Sequence, residues 1–204
     1  MSEKYWGGLN CPHDSDTIIR HLSRFCGVQS VVLCELGVDR GYTGNRMVDF
    51  LKEIAVENIV YYGVDTLDLD FYEKREAGIF FEHSEMKFVQ GNRDVLHTLQ
   101  PLDFGFIDAC HCAECVYLDS VAMSQIVKLG GCMGFHDTSL KVQYPYTLRE
   151  NAWQHYESGT AVRPLNVVEG ITMGRAKWHG DWRLITQDGD KLDWGGIRVY
   201  QRVG

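Results

Sequence analysis

The chain has 204 residues, 45% of them apolar and 24% charged, the make-up of an ordinary globular protein with a full-sized core. Its net charge is −8 and no Lys/Arg cluster stands out, so neither DNA nor RNA is an expected partner. No run approaches the ~20 apolar residues that span a bilayer; residues 1–8 lack the apolar stretch of a signal peptide, so no membrane partner and a cytoplasmic location are expected. Seven cysteines, an odd number, then suggest free thiols in reducing surroundings. Cys26, Cys34 and Cys132 lie in apolar runs and read as small core residues.

Asp14 to Phe25 reads as a helix. Asp14, Ser15 and Asp16 offer caps, and Ile18, Ile19, Leu22, Phe25 and Cys26 share one face. Ser30 to Leu36 is a first strand, and Met47, Phe50, Leu51, Ile54 and Ala55 then recur at helical spacing. Ile59 to Val64 is a second strand, residues 68–84 a helix and a loop, Met86 to Val89 a third strand and Leu102 to Ile107 a fourth. Cys115, Leu118, Ala122, Gln125, Ile126 and Leu129 mark a long helix closed by Gly130 and Gly131, and Cys132 to Phe135 is a fifth strand. Trp182 to Thr186 and Ile197 to Val203 read as an antiparallel hairpin turning through residues 187–190, where Asp188 and Gly189 are a turn signal. The alternation predicts an α/β fold, a mostly parallel sheet with helices on both faces, in one domain over residues 1–204 with an N-terminal helical segment over 1–29.

The most telling segment is residues 31–43, where an apolar run ends in Glu35 and is followed by Gly37 and Gly41 before the helical pattern begins. A buried parallel strand that turns tightly into a helix beneath a nucleotide needs glycines, because they let the backbone approach the ligand. The spacing E-x-G-x-x-x-G differs from the G-x-G-x-x-G of dinucleotide binders, and the turn has no Lys for phosphates, which suggests a nucleoside ligand without a pyrophosphate. A Val side chain at Gly37 is accordingly expected to enter the ligand's space with little damage to the fold.

Ligands of open parallel sheets bind beyond the carboxyl ends of the strands. Those ends carry Glu35, Asp65, the Gly91-Asn92-Arg93 segment, Asp108 with His111, and the His136-Asp137-Thr138 segment. Strand ends meet water and are polar anyway, which accounts for Asn92 and Thr138; it accounts less well for acids or histidines at four of five ends.

These residues make the chain resemble the class I S-adenosylmethionine-dependent methyltransferases, whose fold is Rossmann-like with a seven-stranded sheet and an antiparallel C-terminal hairpin. It is most similar to the small-molecule O-methyltransferases whose fourth strand ends in a pattern like F-I-D-G-x-H-x-Y-E and whose fifth ends in G-G-x-x-x-x-H-D-T. Here those segments span Phe106 to Glu114 and Gly130 to Thr138. Ala109 stands for the usual Gly, Cys112 and Ala113 for a small residue and an aromatic, and Asn92 where the family often has Asp. The resemblance implies that Glu35, Gly37 and Gly41 line the methionine and ribose of the cofactor. It also implies that Asp65 accepts from both ribose hydroxyls, Asn92 lies near the adenine and Asp108 sits beside the sulfonium methyl. It further implies that Asp108, His136 and Asp137 hold a divalent metal. Carboxylates suit Mg²⁺, and an imidazole leans toward Mn²⁺, Fe²⁺ or Zn²⁺. The alternative is that His136 and Asp137 only cap structure.

His111 reads as a general base or substrate contact, or as an exposed histidine, so that Asp108, His111 and His136 are the catalytic candidates. Cys110, His111, Cys112 and Cys115 group soft ligands, but no second ligand pair at suitable spacing completes a zinc site. Tyr144, Tyr146, Trp153, Tyr156 and Trp178, within residues 139–181, form a lid or acceptor-pocket wall, or simply pack. The function expected is methyl transfer from S-adenosylmethionine to the hydroxyl of a small acceptor, a sugar-containing or phenolic natural product, with Mg²⁺ or Mn²⁺ as the metal if one assists. A homodimer stays open. The rivals are an NAD(P)-dependent oxidoreductase, which the glycine spacing and the terminal hairpin oppose, and a non-catalytic nucleoside-binding protein, which the acids at 35, 65 and 108 oppose.

Overall fold

The computed structural model describes residues 12–67, 81–109, 113–136, 138, 178–188 and 196–204, with backbone alone at 12–15, 113 and 114. Among the described residues lie helices α1 (Pro12–Leu22), α2 (Tyr42–Glu53) and α3 (Ala113–Ile126). The strands are β1 (Ser30–Leu36), β2 (Asn58–Asp65), β3 (Met86–Gln90), β4 (Leu102–Ile107), β5 (Val127–Phe135), β6 (Trp182–Asp188) and β7 (Ile197–Arg202). They form one sheet in the order β3-β2-β1-β4-β5-β7-β6. The first five strands pair in parallel, and β7 runs antiparallel between β5 and β6. Strand order reverses between β1 and β4, the place where open sheets of this kind leave a crevice.

Alternation along each strand divides the core in two. Val31, Leu33, Tyr61, Phe104, Phe106, Cys132, Ile197 and Val199 pack with Ile18, Leu22, Met47, Val48 and Leu51 of α1 and α2. Val32, Cys34, Leu36, Val64, Ile107, Met133, Phe135 and Tyr200 pack on the opposite face with Val116 and Met123 of α3. No described helix is long and apolar enough to cross a membrane.

Several boundaries depart from the sequence expectation. The first helix starts at Pro12, whose missing N–H and fixed φ suit an opening turn, and ends at Leu22 before a single 3₁₀ turn, Ser23–Phe25. Cys26 then falls outside the helical face and is exposed, whereas Cys34 and Cys132 are buried as expected. Ala55 also lies beyond its helix. It takes φ +60, and the amide of Val56 reaches back to the Leu51 carbonyl at 3.0 Å, closing α2 with the bond pattern usually built on glycine. Leu129 is no helix residue either: α3 stops at Ile126, β5 starts at Val127, and Leu129 is 70% exposed. Val127 pairs with Leu102 and Cys132 with Phe104, so β5 loops out extra residues against β4. Gly130, at φ +81, lies in that bulge rather than capping a helix, and the 115-to-129 periodicity runs past the true helix end by coincidence. Finally, Gln187 and Asp188 belong to β6, with Asp188 opposite Ile197, so the hairpin connection is longer than the turn expected at 187–190. The helix expected within 68–84 falls mostly outside the described residues.

Candidate active site

The parallel ladder runs on past the strand ends and fixes where the rim residues sit. Gly91 N–H donates to the Asp65 carbonyl at 2.8 Å, Gly37 N–H to Val64 at 2.8 Å, Asp108 N–H to Leu36 at 2.9 Å and His136 N–H to Ile107 at 3.1 Å. Gly91, Gly37, Asp108 and His136, the residues just beyond β3, β1, β4 and β5, are thereby lined up along one edge. Between β1 and α2 the turn passes through Gly37 at φ +90, Asp39 at φ +45 and Gly41 at φ +77. Gly41 is the N-cap of α2 and brings no side chain to cap that helix's first amides.

Gly37 is required for a reason other than the one expected. A Cβ there would lie 2.5 Å from the Asp108 carbonyl oxygen and 2.5 Å from the Ala109 Cα. The space belongs to the chain's own loop after β4, so a side chain at Gly37 strikes the fold itself. The expectation that valine there would spare the fold is therefore corrected.

Glu35, placed by β1 on the α1/α2 face, is only 1% exposed. Its Oε2 accepts from the Tyr61 hydroxyl of β2, and its carboxyl also bonds the Thr43 hydroxyl in the first turn of α2. Burial drives the Glu35 carboxyl well above the usual carboxylate range; the Tyr61 bond opposes this, the Asp108 charge adds to it, and Thr43 and His136 pull back. The Tyr61 hydroxyl is pushed up as well, by burial first and by Glu35 second. In this arrangement Glu35 lies under the glycine turn, tied to three elements.

Asp65 is half-buried at the end of β2. Its Oδ2 accepts from Val38 N–H at 3.0 Å and its Oδ1 from Leu67 N–H at 3.0 Å, so it shapes the turn on its own side while each oxygen keeps a further lone pair. Asn92 is exposed and caps the following 3₁₀ turn, its Oδ1 accepting from Asp94 N–H at 2.7 Å. Arg93 turns inward and pairs with Asp119 of α3 at 2.6 Å; Asp119 is 4% exposed, and Arg93 also bonds Cys115. The charge of Arg93 opposes the burial that raises the Asp119 carboxyl.

Asp108 and His136 meet. The Asp108 Oδ1 lies 2.8 Å from the His136 Nδ1, with both side chains largely removed from solvent. The His136 ring tilts against Phe106 at a centroid distance of 6.3 Å, on the same sheet face as Glu35. Asp137, His111, Cys110 and Cys112 lie outside the described residues. Among the described residues no group of three or more His, Cys, Asp or Glu could hold a metal ion. Of the aromatic residues expected in a lid or wall, Trp178 alone is described, and it packs: it stacks on Phe135 at 5.8 Å and donates to the Ser120 hydroxyl at 2.9 Å. Tyr144, Tyr146, Trp153 and Tyr156 lie outside the described residues.

Sequence reasoning missed Tyr61, Thr43 and Asp119. Tyr61 and its neighbours read as plain core; the one available signal was Gly63 within an apolar strand, since an interior strand glycine marks a close approach.

The sheet order, the reversal point and the terminal antiparallel strand together define the Rossmann-like fold of class I methyltransferases. Solved structures share it. Cofactor-bound Rv0187 from MTB aligns with a TM-score of 0.58 at 15% identity, over 92% of this chain and 80% of that one. The O-methyltransferase TomG from Streptomyces achromogenes, involved in tomaymycin synthesis and in complex with SAM, aligns with a TM-score of 0.60 at 15% identity, over 92% and 78%. MycE methyltransferase from the mycinamycin biosynthetic pathway, in complex with Mg, SAH and mycinamycin VI, aligns at 0.57 and 15% identity, over 92% of this chain but 49% of its own. Compared by sequence with curated proteins, the chain matches none. A methyltransferase-domain profile matches residues 34–138, just over half of the chain, and the protein belongs to that methyltransferase family.

Proposed function

We propose that the protein transfers a methyl group from S-adenosylmethionine to a hydroxyl of a small acceptor, of the sugar-containing or phenolic natural-product class. The observation that carries this reading is the Asp108–His136 pair, held at 2.8 Å just beyond the ends of adjacent strands β4 and β5 and beside the glycine turn. A cationic sulfonium suits a rim bearing Asp65 and Asp108, and Asp65 retains lone pairs for ribose hydroxyls. Asn92, exposed at the end of β3, is the proposed adenine neighbour.

Asp108 and His136 fit a divalent ion in part. Two ligands of one octahedral ion at about 2.0–2.1 Å lie about 3 Å apart, which is close to the Asp108–His136 separation. Asp108 and His136, with Asp137 as third donor, would hold Mg²⁺ or Mn²⁺, whose Lewis acidity lowers the acceptor's pKa. A second reading is favoured by the same hydrogen bond. A carboxylate on Nδ1 orients an imidazole so that Nε2 accepts the acceptor's proton, and His136 then acts as general base without metal. In the second reading Asp108 orients His136, and in both readings methyl transfer rests on in-line positioning of acceptor and cofactor.

Isotopic methyl transfer from S-adenosylmethionine to a panel of hydroxylated acceptors tests this, run with chelator and with Mg²⁺ or Mn²⁺ restored. The metal-assisted reading expects loss and recovery, and Asp137→Ala should resemble the chelated enzyme. Full activity in demetallated protein leaves His136 as base. No S-adenosylhomocysteine binding by calorimetry refutes the whole reading.

A further inference from the structure

The phenol of Tyr61 sits in a slot made by two absent side chains. A Cβ on Gly44 of α2 would collide with the Tyr61 hydroxyl, and one on Gly63 of β2 would lie 2.6 Å from Phe81 and 3.3 Å from the Tyr61 ring. Phe81 closes the slot edge-on at 5.8 Å. Glu35 pairs with Gly63 across β1 and β2, and the space a side chain at Gly63 would take is filled by Phe81, Val38 and the Tyr61 ring. Tyr61 is fully buried, and its hydroxyl ends on the Glu35 Oε2. Thr43 reaches the same carboxyl from the first turn of α2. A buried phenol in a plain core needs no such arrangement, since phenylalanine would fill it without a polar group to satisfy.

We infer that Tyr61 is a positioning residue of the cofactor site: through Glu35 and Thr43 it pins the Gly37–Gly41 turn and the start of α2 in the shape that receives the cofactor. The inference rests on the cofactor reading above. Its physical basis is that Glu35 joins β1, β2 and α2 from beneath the turn, while Asp65 holds the same turn from its side through Val38 N–H. Held from two directions, the turn pays less ordering entropy when ligand binds.

The test is a double-mutant cycle with Tyr61→Phe and Glu35→Leu, which removes the acceptor that a glutamine would keep, read by calorimetry with S-adenosylhomocysteine. Tyr61→Phe keeps the ring in its slot and removes only the hydroxyl. Each single variant should weaken binding about tenfold, and the double variant should be no weaker than the worse single, because both act through one bond. Hydrogen exchange without ligand supplies a second readout. Amides over residues 37–45 should exchange faster in Tyr61→Phe, while those of β4 keep wild-type protection and report an intact sheet. Unchanged affinity in Tyr61→Phe, or losses that multiply in the double variant, overturns the inference. If wild-type protein fails to bind S-adenosylhomocysteine, the cofactor reading fails. The exchange arm then still decides whether Tyr61 pins the turn: unchanged exchange over 37–45 overturns that as well.

Discussion

Gly37→Ala separates two roles that glycine can play at a turn. Its φ of +90 means any side chain meets backbone strain, about 1–2 kcal/mol for a residue forced into the left-handed region. Its Cβ would also press within 2.5 Å of backbone atoms of Asp108 and Ala109, which cannot swing aside as a flexible side chain can. Overpacking of that kind costs about 1–3 kcal/mol. Gly130 provides the control, because its φ is +81 and nothing lies within 4 Å of a Cβ built there. Gly130→Ala should therefore lose only the strain, about 1–2 kcal/mol, and Gly37→Ala about 2–5 kcal/mol when both terms are counted. Urea unfolding of the two variants beside wild type reads the difference, and the m-value checks that the unfolding transition is unchanged. The backbone that must yield carries Asp108, so Gly37→Ala should also reduce methyl transfer. Equal destabilisation of the two variants would refute the close approach of the turn to the loop after β4.

Other consequences follow from the same contacts. Arg93→Ala strands the Asp119 carboxylate in a 4% exposed site and should cost about 3–5 kcal/mol in urea unfolding, whereas Arg93→Met with Asp119→Leu should recover most of it. Asp65→Ala should weaken S-adenosylhomocysteine binding by about 1.5–3 kcal/mol by calorimetry, and Asp65→Asn, which keeps an acceptor for Val38 N–H, should preserve the thermal midpoint better than Asp65→Ala. His21 of α1 bonds Thr186 of β6, and its pKa is lowered from 6.5 to about 4 by burial and then by Arg24 and Arg20. Neutral His21 thus contributes stability that is full above pH 6.5 and is lost as pH falls toward about 4. His21→Gln should flatten the pH dependence of unfolding in that window, by about 1–2 kcal/mol after discounting for solvent screening.

The sheet was legible because parallel strands buried on both faces are near-continuous apolar runs, and β1 and β4 match their expected bounds residue for residue. Boundaries failed where one residue type serves two roles. Gly130 looks like a helix stop and is a strand bulge; Asp188 looks like a turn and is a paired strand residue. The rim acids were legible for the same reason as the strands, since a polar residue that ends an apolar run must lie at a sheet edge. Their partners were not. Tyr61 reaches Glu35, and Arg93 reaches Asp119, across contacts 26 residues apart in sequence, and no local periodicity encodes a contact of that range.

That difference bears on what Glu35 does. From the sequence it is one of several rim acids. In the fold its carboxyl is covered, while Asp65 and Asp108, each two positions beyond the ladder partners of Glu35, Gly63 and Phe106, keep partial exposure. A covered acid bonded to two hydroxyls is poorly placed to contact a ligand and well placed to hold a backbone turn, because its bonds are made inside a low-dielectric site where each is stronger and its loss less easily replaced by water. The acids that meet the cofactor's charge would then be Asp65 and Asp108. Glu35 would set the shape of the turn between them, so Glu35→Gln, whose amide oxygen still accepts from Tyr61, should disturb the turn less than Glu35→Leu, which removes the acceptor.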